Sequence, residues 1–177
     1  MIKRSVLVLT GCGALALGGC FYSETSLIGY WSADKALEPG VYTHTPYDEN
    51  GEEWDRVTWR GEITYSARRY HSEAENFPHE GARLHQLDGD IYIAEWPRDG
   101  GYAYGILFLY EGMASYHQPA CDQLSEAARN QESLILNEEG FCALHDDDQL
   151  DAVMRTYLAE HDGDIRLDGI YRRVENR

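Results

Sequence analysis

Residues 83–117 read RLHQLDGDIYIAEWPRDGGYAYGILFLYEGMASYH, and the fold turns on how this stretch is divided. Asp88-Gly89-Asp90, Pro97-Arg98-Asp99-Gly100-Gly101 and Glu111-Gly112 are turn signals. Between them lie Arg83 to Leu87, Ile91 to Trp96, Tyr102 to Tyr110 and Met113 to His117, short runs rich in β-branched and aromatic residues. Tyr102 to Tyr110 is apolar on both faces: Tyr102, Tyr104, Ile106, Phe108 and Tyr110 on one, Ala103, Gly105, Leu107 and Leu109 on the other. A strand covered on both sides belongs in the middle of a sheet. The stretch therefore predicts an antiparallel meander, strongly curled or closed as a small barrel.

Toward the N-terminus, Pro39-Gly40 turns into a short strand over Val41 to Thr45, and the polar run Tyr47 to Glu53 reads as a loop. From Val57 to Ala67 apolar and polar residues alternate, the mark of a strand with one wet face, and Arg60-Gly61 leaves open a hairpin or a bulge there. His71 to Gly81, with Pro78, reads as a loop. Residues 20–38 carry no sustained period and read as a tether.

Toward the C-terminus, Asp122 to Arg129 predicts a short helix, and Ser133 to Leu136 with Gly140 to Leu144 a hairpin around Asn137-Glu138-Glu139-Gly140. Asp146 with Gln149 three residues on has capping-box spacing. Leu150, Val153, Met154, Tyr157 and Leu158 then form one apolar stripe, and Gly163 offers a stop. Ile165 to Val174 returns as a closing strand, kinked at Gly169. The expected class is α+β: a curled antiparallel sheet or small barrel-like meander with one amphipathic C-terminal helix packed on it, spanning a single domain over 39–177.

The chain opens MIKRSVLVLTGCGALALGGC. Lys3 and Arg4 give a basic start, and Val6 to Leu17 is an apolar run of signal-peptide length, too short to cross a bilayer. Its end, Leu17-Gly18-Gly19-Cys20, resembles the lipobox of bacterial lipoproteins. The resemblance covers the leader alone. It implies that residues 1–19 are removed and that Cys20 carries diacylglycerol on its sulfur and an acyl group on its amino terminus. An upstream box ending at Cys12 would leave too little apolar chain for export. In that family an Asp after the acylated cysteine tends to retain the protein in the inner membrane. Phe21 stands here, so the resemblance implies the cell envelope, at the outer membrane facing the periplasm. Several chains on one residue make a durable anchor where one is marginal.

The formal net charge is −16, and loss of Lys3 and Arg4 with the leader makes it two units more negative. Such a surface repels nucleic acid and anionic lipid headgroups. With Cys12 in the leader and Cys20 acylated, Cys121 and Cys142 remain, and an oxidising compartment argues for a disulfide between them; two buried free thiols are the alternative.

Chemistry-bearing residues form no recognised constellation. His71, His79 and His85 match no zinc spacing, and Asp162-Gly163-Asp164 lacks the ligands that complete a calcium loop. Ser115 and His117 share a strand face outside any nucleophile elbow. No catalytic residue, metal or cofactor is therefore assigned. The excess of aromatics, 13 Tyr and 4 Trp, suits sheet packing, and it also suits an exposed patch for which Tyr30, Trp31, Trp54, Trp59 and Trp96 are the residues to follow. The expected function is that of a lipid-anchored, non-enzymatic interaction or structural module meeting an envelope protein. Carriage of an apolar small molecule in a barrel-like pocket is the alternative, and an enzyme ranks below both.

Overall fold

The computed structural model describes residues 21–48 and 50–174; the leader and Cys20 lie outside the described residues. Among the described residues ten strands form in order: β1 (Phe21–Ser23), β2 (Gly40–Pro46), β3 (Trp59–Ser66), β4 (Arg69–His71), β5 (Arg83–Asp88), β6 (Ile91–Arg98), β7 (Gly101–Tyr110), β8 (Met113–His117), β9 (Cys142–Ala143) and β10 (Gly169–Arg173). Two α-helices, α1 (Glu126–Gln131) and α2 (Asp147–Glu160), and one 3-10 turn at Cys121–Gln123 lie between β8 and β10.

The decisive stretch forms the expected meander. β5 pairs with β6, β6 with β7 along its whole length, and β7 with β8, all antiparallel. β10 then returns between β8 and β2, and β3 and β4 follow β2 outward. The result is an open, curled sheet whose edge strands β4 and β5 approach each other at one bridge, where Tyr70 N–H donates to Ala82 C=O at 2.8 Å. The sheet is mixed rather than wholly antiparallel, because β1 pairs parallel with β9 while pairing antiparallel with β7.

Curling gives the sheet two apolar faces. Inside the curl Tyr42, Trp59, Ile63, Tyr70, Leu84, Trp96, Leu107 and Tyr171 pack together. Outside, Phe21, Ile93, Tyr104 and Ile106 meet Leu150, Val153, Met154 and Tyr157 of α2. Tyr102 to Tyr110 is thus covered on both faces over its central residues, as its composition demands. α2 starts as its sequence prescribes: Asp146 accepts from Gln149 N–H at 2.8 Å, and Gln149 reaches back to His145 N–H at 2.9 Å. Cys121 and Cys142 form a disulfide within this outer layer.

Several local expectations are corrected. Residues 20–38 are no tether from Phe21 onward: Phe21–Ser23 is a strand, and Phe21, Ile28 and Ala33 are buried in the outer core. The body therefore begins well before residue 39. Sparse apolar residues gave no period here because a three-residue strand and an irregular segment fill separate pockets. That segment is pinned by a buried polar group. The Glu95 carboxyl, fully buried, accepts from Ser26 Oγ at 2.6 Å, Leu27 N–H at 2.7 Å, Ile28 N–H at 2.9 Å and Tyr104 OH at 3.3 Å. Gly101 makes the approach feasible, since a Cβ there would stand 2.2 Å from Ser23 O. β3 runs unbroken through Arg60-Gly61, and its hairpin comes later, at Ala67-Arg68, leading into β4, whose last residue His71 is the first of the expected loop 71–81. The closing strand starts at Gly169, with Ile165 buried ahead of it.

Candidate interaction site

The five aromatics singled out from sequence separate into two groups. Trp59 and Trp96 are 6 % and 3 % exposed and line the inside of the curl, which removes them from any surface patch. Trp31, Trp54 and Tyr30 are 85 %, 46 % and 47 % exposed. Trp54 sits alone in the loop after β2, where its N–H donates to Pro46 C=O.

Tyr30 and Trp31 form a built pair. Their rings meet edge to face with centroids 5.1 Å apart, and the Arg68 guanidinium stacks 5.6 Å from the Tyr30 centroid. Arg68 is held there by donation from Nη1 to Ala33 C=O at 2.9 Å. Its backbone comes at a cost. Ala67 and Arg68 occupy the two central positions of the β3–β4 turn with φ of 49° and 63°. Both need the left-handed region, where a Cβ costs roughly 1 kcal/mol or more per residue and Asn-Gly is the usual choice. A strained turn that presents an arginine onto exposed aromatics is the kind of local conflict that clusters at functional surfaces. The sequence carries no signal for Arg68, because Ala67-Arg68 has none of the Asn, Asp or Gly that mark a two-residue hairpin turn.

A second constellation lies inside the curl. His44 Nε2 and the Tyr116 hydroxyl share a hydrogen bond of 3.3 Å, His44 Nδ1 and Thr58 Oγ1 one of 3.0 Å, and His79 Nδ1 and the Tyr171 hydroxyl one of 2.6 Å. The rings pack on one another: His79 lies 4.6 Å from Tyr116 and 4.8 Å from Trp96, and His44 4.8 Å from Tyr171, centroid to centroid. Burial holds His44 down to about 4 and His79 to about 3, the latter also by the neighbouring His44, and it pushes the Tyr116 and Tyr171 hydroxyls up. Both imidazoles are thus neutral at pH 7. The adjoining cavity amounts to about 40 Å³, room for little more than a water molecule, so the group packs the curl's interior.

Ser115 and His117 do meet on the outer face. His117 Nδ1 bonds the Arg166 carbonyl at 2.8 Å, so it carries the proton, and Nε2 accepts from Ser115 Oγ at 3.2 Å. Both are buried, with His117 edge-on to Phe108. His71, His79 and His85 go to different partners: Glu80, Tyr171 and the Ser32 carbonyl. No cluster of three metal-ligating side chains occurs among the described residues.

One larger concavity, an open groove of about 520 Å³, runs beside β1 and is lined by Tyr22, Trp96, Arg98, Tyr102, Gln118 and Phe141 among others. No family model, curated protein or solved structure matches the chain.

Proposed function

We propose that this protein is a lipid-anchored component of the cell envelope, acylated at Cys20 and located at the outer membrane facing the periplasm. There it acts as a non-enzymatic interaction module that grips another envelope protein through Tyr30, Trp31 and Arg68. The observation that carries the reading is the exposed Tyr30–Trp31–Arg68 stack on its strained turn. Trp, Tyr and Arg are the residue types that dominate binding energy at protein interfaces, because each brings large contact area at low entropic cost. The Cys121–Cys142 disulfide supports an oxidising compartment. The space within the curl, about 40 Å³, is far below the roughly 300 Å³ at which small-molecule pockets begin, which weighs against the alternative of a ligand carried there.

Site-specific photocrosslinking tests the reading. With a benzophenone amino acid in place of Trp31, irradiation of intact cells is expected to give one discrete adduct, lost when Arg68 and Tyr30 are changed to Ala. An adduct of equal yield from the same group at Tyr110, or none at all, overturns it.

A further inference from the structure

We infer that the open groove beside β1 is a binding site for a neutral saccharide chain, with a sugar ring lying over Ala103 between Tyr22 and Trp96. The site is separate from the Tyr30–Trp31 contact and needs no acyl anchor.

The strand register builds the groove. Tyr22 of β1 and Trp96 of β6 both stand opposite Ala103 of β7, so the three side chains leave the sheet on one face. Ala143 of β9 stands opposite Tyr22 on its other side. Phe141, two residues before Ala143, shares that face and meets the Tyr22 ring edge to face at 6.4 Å. This is the inner face of the sheet, to which Trp96 and Ala103 belong, carried on to β1, where Tyr22 is 37 % exposed. Large rings on β1 and β6 with only a methyl group between them leave a trough of about 520 Å³, lined at its base by Ala103 and Gly101. That volume falls within the roughly 300–1,000 Å³ of small-molecule sites.

Shape and bonding select the occupant. β1 and β6 are each one strand spacing from β7, so the walls rise from Cα rows about 10 Å apart. A helix, about 10 Å or more across with its side chains, does not fit between the rings. A peptide strand fits in width, but the N–H and C=O groups of the floor lie in the plane of the sheet, within the ladders to β1 and β6. A peptide backbone laid over Ala103 would lose water without gaining partners. A sugar ring instead carries C–H groups on its faces and hydroxyls around its edge. It lays an apolar face on methyl and aromatic carbon while the hydroxyls reach the rim.

The rim holds the complementary groups. Gln118 donates its backbone N–H to Asp168 at 2.7 Å, but its half-buried side-chain amide has no hydrogen-bond partner among the described residues. The Arg98 guanidinium rests 5.9 Å from the Trp96 centroid, and neither it nor the Asp99 and Glu139 carboxylates beside the groove form an ion pair among the described residues. Amide, guanidinium and carboxylate groups each offer two adjacent donor or acceptor positions, a match for neighbouring hydroxyls. One cation against two anions, on a chain of net charge −16, repels an anionic ligand and leaves a neutral one.

The test is calorimetric titration of the full chain, purified in a detergent without a sugar headgroup, with cellotetraose and with chitotetraose. The two arms separate a plain hexose chain from an N-acetylated one, and at least one is expected to give a saturable isotherm. Tyr22→Ala and Gln118→Ala should each weaken that binding about tenfold or more. Trp31→Ala, outside the groove, should leave it unchanged. A thermal melt accompanies each variant. Where Tyr22→Ala unfolds the chain, the exposed rim change Glu139→Ala carries the test, with an expected loss of about threefold or more. Saturable binding of neither oligosaccharide overturns the site, as does binding that Tyr22→Ala, Gln118→Ala and Glu139→Ala all leave intact. Tyr22-dependent binding of a proline-rich peptide, with neither sugar bound, overturns the assignment to a saccharide.

Discussion

On the outer face of the sheet, Leu150, Val153 and Met154 of α2 meet the aliphatic and aromatic side chains Phe21, Ile93 and Ile106, with Tyr104 and Tyr157 beside them. On the inner face of the same strands stand Trp59, Trp96, Tyr70, Tyr116 and Tyr171 with His44 and His79 among them. The difference follows from geometry. A helix laid on a sheet offers a broad, dry interface that branched aliphatics fill well. A curl closes around a narrow space in which flat rings stack and their polar edges must find each other. The inner rings do so imperfectly: the Trp59 and Trp96 indole N–H groups find no acceptor among the described residues. The helix-covered face therefore draws mainly on shape, with Glu95–Tyr104 and Ser115–His117 as its buried polar pairs, and the inner face on shape plus a set of neutral hydrogen-bonded groups sensitive to proton concentration.

The largest expected effect tests the aliphatic side. Leu150→Ala removes a side chain that is 2 % exposed and leaves a cavity under α2, which costs roughly 2–5 kcal/mol. Urea denaturation should show that loss unchanged between pH 7 and pH 5, since the change removes no titrating group. A cost that varied with pH would mean that the two faces do not behave separately.

Next in size is the disulfide, which staples the outer layer alone. Its partners are 21 residues apart in sequence, and a loop near that length contributes about 3 kcal/mol through the unfolded chain. Cys121→Ser with Cys142→Ser should lower the midpoint of unfolding accordingly, and hydrogen exchange should quicken first in β1 and β9, which pair through Cys142. Uniform quickening inside the curl would contradict the division.

The aromatic side is tested by acid. At pH 7 both imidazoles are neutral in the folded and unfolded chain, so their ionisation gives stability no pH dependence there. Below about pH 6.5 the unfolded chain takes up protons that the folded chain refuses until about pH 4 at His44 and about pH 3 at His79. Stability therefore falls with pH through that window, by about 1.4 kcal/mol per pH unit for each histidine. His44→Gln should remove that slope for one group between pH 6.5 and 4, measured as the difference in unfolding free energy against the parent chain. His117 on the outer face is also held below its usual value by burial, and it remains in both proteins, so the difference isolates His44.

Much of this architecture was legible in the residues themselves. The four strands of 83–117, the two-faced character of β7 and the capped, striped α2 all follow from local pattern, because turns and period are short-range signals. The pairing of Cys121 with Cys142 agrees with the disulfide expected once the leader's resemblance sets Cys12 and Cys20 aside. The sequence did not disclose β1, whose three residues show no period and are ordered by partners at Ala103 and Cys142, far along the chain. The same limit hid the inner cluster: His44, His79, Tyr116 and Tyr171 come from four separate segments and meet only when the sheet curls. Trp59 and Trp96 were grouped with Trp31 because composition alone does not tell a ring that faces a curl from one that faces water.

The smallest expected stability effect belongs to Trp31, and it separates surface from both cores. At 85 % exposure Trp31 meets the Tyr30 ring edge to face and buries little surface, so Trp31→Ala should change unfolding free energy by less than about 0.5 kcal/mol. An aromatic anchor at the centre of an interface typically costs 2 kcal/mol or more when truncated. The photocrosslinked partner's affinity for this variant should therefore drop by roughly thirtyfold or more while the melting curve stays in place. If instead Trp31→Ala unfolds the chain as Leu150→Ala does, the ring is holding residues 26–33 against the body, and the strained Ala67–Arg68 turn supports the fold rather than a contact. If neither property moves, the exposed pair is idle and the search for the partner's footing shifts to Trp54.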